Sequence, residues 1–291
     1  MASVDITDVR EVLPEPSNDG VWIMTEFKEG TPCWVDAMFT DLEGAKRFYG
    51  DVLGWTFGES ASEYGNYTQA YSDGKAVAAV VPPMPGSDES ESAWCLYFAS
   101  PDAKATGEKI KAAGGELLME PMKVGEFGTM VLAKEPSGAV FGVWQPQQHK
   151  GFEKRGEPGS YAWAELFTRD TDAVDGFLPK VFPYRVQKMA DEKMDFKVFK
   201  VGGGQSDTVL GRMKMGEDFP PHLGSYINVY FAVDDCDSTI KKAVDHGAKL
   251  QFGPMNTPFG RFAALTDPQG ANFSVIDMST TEGDMPNLTD A

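Results

Sequence analysis

The chain has 291 residues, and its 44 Asp and Glu against 26 Lys and Arg leave a formal net charge of −18 at pH 7. That charge repels polyphosphate and anionic lipid, which argues against nucleic acid or a membrane surface as partner. An apolar fraction of 42% suffices for packed interiors, no run approaches the roughly 18 to 20 apolar residues of a membrane span, and the first ten residues lack a secretory pattern; a globular, cytoplasmic protein of two domains is expected.

Residues 1–29 form an extension without periodicity, in which Met24 offers an alternative translation start that would leave residues 1–23 outside the natural protein. Cys33 to Phe39 then reads as a strand, with Asp36 alternating against apolar neighbours. Thr40 and Glu43 have capping-box spacing. Ala45, Phe48, Tyr49, Val52 and Leu53 recur at helical spacing, and Gly54 suits a left-handed stop. Tyr64 to Tyr71 and Lys75 to Val81 flank Asp73-Gly74, a tight-turn dipeptide, and predict a hairpin. A second unit runs from Trp94 to Trp144, with a helix over Asp102 to Ala113 stopped by Gly114. The Gly-, Gln- and charge-rich stretch Gln145 to Ser160 reads as a linker.

Beyond the linker the chain repeats itself. At an offset of 129 residues Trp34 meets Trp163, Asp36 meets Glu165, Asp41 meets Asp170, Phe48 meets Phe177 and Val52 meets Val181. Pro179 falls inside the third helix and should kink or shorten it. Gly202-Gly203-Gly204 takes the hairpin place of Gly74; a phosphate-cradling loop would need a helix next, whereas a strand-like Thr208 to Met213 follows. The second unit recurs from Ile227 to Ile276, with a helix over Asp237 to His246 stopped by Gly247. The expected organisation is a first domain at 30–146, a linker at 147–159, a second domain at 160–279 and a tail at 280–291. Cys33, Cys95 and Cys236 are widely spaced and read as free thiols.

Asp41 to Trp55 (DLEGAKRFYGDVLGW) and Asp267 to Ile276 (DPQGANFSVI) resemble the vicinal oxygen chelate superfamily of glyoxalases, bleomycin-resistance proteins and extradiol dioxygenases. Gly30 to Asp36 (GTPCWVD) is similar to the opening of two-domain, glyoxalase-like actinobacterial proteins, some of them labelled hydroxylase. The resemblance implies an α+β fold of four βαβββ modules, paired into two domains, each an open, curved mixed sheet around a cavity with helices outside. It also implies a divalent metal held by His or Glu at positions that fall here on Trp34, Cys95 and Gly142, and on Trp163, Asn228 and Ser274. None of these is His or a carboxylate, so no metal site and no cofactor are expected, unless Asp36 or Glu165 ligates a divalent ion from a shifted position. His149 in the linker, His222 in a loop and His246 at a helix end do not complete a site.

Residues two apart on a strand share a face, so Trp34 with Asp36, and Trp163 with Glu165, should look into the implied cavities. Cys95 and Tyr97 join the first pair, Asn228 and Tyr230 the second. Aromatic walls with one carboxylate suit a small aromatic or cationic ligand. The bland alternative is that the tryptophans plug dead cavities while Arg212, Arg261 or Lys75 neutralises the acids. An enzyme using Asp36 or Glu165 as general base, of lyase, hydroxylase or dioxygenase type, stays open, as does a scaffold that binds protein. The sequence leaves monomer and homodimer equally open.

Overall fold

The computed structural model describes residues 27–83, 92–190, 194–204 and 207–291. The alternative start at Met24 lies outside these residues. Four modules follow one another. The first holds β1 (Pro32–Met38), α1 (Leu42–Leu53), β2 (Thr56–Phe57), β3 (Thr68–Ser72) and β4 (Lys75–Val81). The second holds β5 (Trp94–Ala99), α2 (Ala103–Ala112), β6 (Glu116–Val124), β7 (Gly128–Lys134) and β8 (Val140–Pro146). In the third are β9 (Tyr161–Thr168), α3 (Thr171–Val181), β10 (Arg185–Met189), β11 (Phe196–Lys200) and β12 (Thr208–Lys214). In the fourth are β13 (Tyr226–Ala232), α4 (Cys236–Asp245), β14 (Lys249–Thr257), β15 (Gly260–Thr266) and β16 (Asn272–Asp277).

Modules pair into two open mixed sheets. The first runs β2-β3-β4-β1-β5-β8-β7-β6, and the second β14-β15-β16-β13-β9-β12-β11-β10 with one more strand at its edge. That strand, β17 (Leu288–Asp290), pairs with β10, so the segment read as a tail returns to the sheet. In each sheet the first strands of the two modules meet antiparallel at the centre, β1 on β5 and β9 on β13. β11 and β12 are antiparallel neighbours across the triple glycine, as a hairpin requires.

Local signals act with one correction. Asp41, not Thr40, caps α1, its carboxylate accepting from Gly44 N, and Asp102, Asp170 and Asp235 do the same for the other helices. An Asp carboxylate presents two acceptors to the free N–H groups and adds negative charge at the positive helix end, so it wins over the neighbouring threonine. α1 stops at Gly54, whose φ of 73° suits glycine. Pro179 sits in the last turn of α3, which ends two residues later in extended backbone at Phe182.

The halves are joined through their helix-covered sides. α1 touches α4, α2 touches α3, and aromatic pairs cross between halves: Trp55 with Phe231 and Phe98 with Phe182, both with ring centroids 5.2 Å apart. Tyr49 is fully buried, donates to Asp267 of the other half at 2.9 Å and accepts from Trp94 Nε1 at 2.9 Å. Tyr49→Phe would strand the indole N–H and one carboxylate acceptor; it is expected to lower unfolding free energy by about 1–3 kcal/mol in urea titrations. The segment 147–159 is a packed strap: Phe152 N donates to Cys33 O, Glu153 N to Ala76 O, and buried Lys154 reaches Ser72, Asp73 and Pro158 O. Among the described residues, no helix is long and apolar enough to cross a membrane.

Candidate functional site

β1 and β9 turn one face to the helices and the other away from them. On β1 the odd residues Val35 and Ala37 are buried, as is Phe39 just beyond the strand, against Tyr49 of α1, while Trp34, Asp36 and Met38 share the opposite face. The partner strands add their own alternate residues. Asp36 lies opposite Cys95 and Trp34 opposite Tyr97 in one half; Glu165 lies opposite Asn228 and Trp163 opposite Tyr230 in the other. The eight residues singled out from sequence thus form two groups of four, one per sheet.

In the first half the groups are bound to one another. Trp34 Nε1 donates to Tyr67 Oη at 2.6 Å, and Tyr67 donates onward to Asp36 Oδ2 at 3.4 Å. Burial pushes the Asp36 carboxyl up to about 7, against the pull of hydrogen bonds from Tyr97 and Tyr67. Burial, then the neighbouring Asp36, raises the Tyr67 and Tyr97 phenols and the Cys95 thiol, which stay neutral and make poor nucleophiles. Sequence reasoning missed Tyr67, and it left His149 in the linker, whereas the strap carries its ring to the edge of Trp34, 4.4 Å between centroids. Burial drives the His149 imidazole down to about 4, so it is neutral there, and its buried Nε2 has no partner.

In the second half Glu165 Oε2 accepts from Tyr230 at 2.8 Å and Oε1 from Trp163 Nε1 at 3.2 Å. Burial raises its carboxyl as well, again opposed by those two donors. Glu165 lies beside Gly211, where a Cβ would press on the Glu165 side chain and the Phe196 ring. Around it on the same face Phe167, Tyr226 and Phe262 are half-buried, Phe167 stacked on Tyr226 at 5.2 Å.

Neither acid meets the cations that could have neutralised it. Arg212 is committed to Asp175 and Asp195, Arg261 to Asp237, and Lys75 stands exposed at the hairpin near Asp73. A metal fits poorly too. The Tyr97 ring lies over Gly142, leaving no room for even a Cβ, and Asn228 Nδ2 donates to Ser274 Oγ at 2.8 Å. Among the described residues no three His, Cys, Asp or Glu side chains converge. One carboxylate per sheet, flanked by phenols and indoles, does not supply the several anionic or imidazole ligands a divalent ion needs.

Two sheets of paired βαβββ modules with these faces define a two-domain α+β vicinal oxygen chelate fold. The chain belongs to the Glyoxalase/Bleomycin resistance protein/Dioxygenase superfamily, whose model matches residues 34–143. It is 36% identical over 271 residues to the anthracycline biosynthesis protein DnrV of Streptomyces peucetius, covering 88% of this chain and 96% of that one. Among solved structures it is similar to a Mn(II)-bound glyoxalase from Novosphingobium aromaticivorans, with 19% identity, TM-score 0.57, and 88% and 87% of the two chains covered. It is also similar to homoprotocatechuate 2,3-dioxygenase from Arthrobacter globiformis, with 16% identity, TM-score 0.59, and 91% and 82% covered.

Proposed function

We propose that this protein binds a small aromatic molecule on the helix-free faces of its sheets, without a metal. The observation that carries this reading is the pairing, on one strand face, of an indole with a half-buried carboxylate that no basic side chain neutralises. Rings supply area and shape for a flat ligand, while an acid held in low dielectric supplies a strong, directional polar contact. The relative named for anthracycline biosynthesis supports a polycyclic aromatic as the first ligand to try.

Titrating intrinsic tryptophan fluorescence with an anthracycline is expected to give saturable quenching. Replacing both Trp34 and Trp163 by Ala should weaken binding roughly tenfold, at about 0.5–1.5 kcal/mol per aromatic contact. Unchanged affinity in the double variant, measured by calorimetry, would end the assignment. A catalytic reading draws on one observation, that Asp36 is held near neutrality beside Tyr97, where a carboxylate works as a general base. Turnover of any aromatic substrate, lost in Asp36→Asn with folding intact, would favour it.

A further inference from the structure

The two halves differ at the residue that closes each acid. Asp36 pairs across β4 to Ala79 and on to Gln69 of β3; Glu165 pairs across β12 to Gly211 and on to Val198 of β11. Two residues before Gln69 stands Tyr67, and two before Val198 stands Phe196. The same place therefore carries a phenol in one half and a plain phenyl in the other.

In the first half that phenol takes up the Trp34 N–H and donates to Asp36. Trp34 is only 3% exposed, its ring covered by His149 at 4.4 Å and Phe152 at 5.6 Å from the strap. The indole is thus covered and its N–H spent internally, while Asp36 receives two donors, Tyr67 and Tyr97, the same number as Glu165. In the second half Phe196 has no hydroxyl to give. Glu165 receives two donors for its roughly four acceptor sites, Trp163 is half-buried, and among the described residues no aromatic ring packs on it.

We propose that the second half alone takes a ligand, and that this ligand is a planar aromatic cation with its ring on Trp163 and its charge against Glu165. The inference rests on the binding reading above and adds to it the half and the charge. A cation answers both halves of the site's chemistry: it pairs with a carboxylate whose desolvation two neutral donors oppose and no positive charge offsets, and it is attracted to the electron-rich faces of Trp163, Tyr226 and Phe262. A neutral ring would leave the acid uncompensated or force it to hold its proton.

Calorimetry on the full chain at pH 8 with 9-aminoacridine, a planar cation there, and acridine, its neutral counterpart, reads both claims. One 9-aminoacridine is expected per chain, bound about tenfold more tightly than acridine. Phe196→Tyr, which gives Glu165 the internal donor that Asp36 has, and Glu165→Gln should each weaken 9-aminoacridine about tenfold and acridine by less than about twofold. Two molecules per chain, equal affinities for the two dyes, or no loss in either variant would overturn the inference and leave the binding reading standing. Binding of neither dye would overturn both. The wild-type stoichiometry and dye preference decide the matter even if a variant does not fold.

Discussion

Arg212→Leu is expected to lower the unfolding free energy by about 3–5 kcal/mol. Arg212 is 1% exposed on β12, and its guanidinium is engaged at all three nitrogens: Nε and Nη2 donate to the two Asp175 oxygens of α3 at 3.0 and 2.8 Å, while Nη1 reaches the Asp195 carboxylate and its carbonyl. Lys197 also contacts Asp175, at 2.9 Å, so one acid keeps a partner when the arginine goes, but the buried fork geometry is lost. The damage comes from polar groups left facing an apolar side chain, which is why Arg212→Lys should lose less than Leu and more than a surface change. Urea unfolding with an unchanged slope and a lowered midpoint is the expected record. A loss under about 1 kcal/mol would mean that water replaces the network.

Asp36→Asn should stabilise the protein above neutrality and not below about pH 4. An unfolded carboxyl titrates near 3.9, whereas in the folded chain burial holds that of Asp36 at about 7. Between these values the folded state keeps a proton that the unfolded state releases, so the wild type loses stability as pH rises through the window and levels off above 7. Asparagine has no proton to lose. The whole displacement corresponds to about 4 kcal/mol at 1.36 per unit, and partial exposure of the side chain reduces the expected gain at pH 8 to about 2 kcal/mol. Glu165 is shifted in the same direction, but it is present in both proteins and drops out of the comparison. The raised phenols and thiol around Asp36 remain neutral throughout. Equal stability of wild type and variant at pH 8 would place Asp36 in an ordinary aqueous setting.

Much of the architecture is written in the repeat. Trp34 and Trp163, or Asp41 and Asp170, recur because the same strand and the same helix cap recur, and cap, helix and hairpin are interactions over a few residues. Asp41 displacing Thr40 as cap is an error of one position within that local grammar. The acid-bearing faces were also legible, since alternation along β1 and β9 is local. What closes those faces was not. Tyr67 reaches Asp36 across two strands, and His149 arrives from a strap whose composition reads as spacer. The partners of Arg212 lie 37 and 17 residues away, and nothing in the spacing prefers them to Glu165. The offset that reveals the repeat also sets Tyr67 against Phe196, a signal present in the sequence whose meaning depends on knowing that position 67 donates to the acid.

The seam between the halves limits how they can move against each other. Many two-lobed receptors close like a clamshell about a hinge. Here a jaw motion would have to pull Trp55 from Phe231, Phe98 from Phe182 and Tyr49 from Asp267. Each aromatic would expose on the order of 100 Å² or more, at roughly 25 cal/mol per Å², so the gape would cost several kcal/mol. A ligand of the kind proposed would not call for that motion, because Phe167, Tyr226 and Phe262 stand half-buried on the helix-free face of the second sheet, where rotamer changes on the fast timescale of side chains suffice to make room.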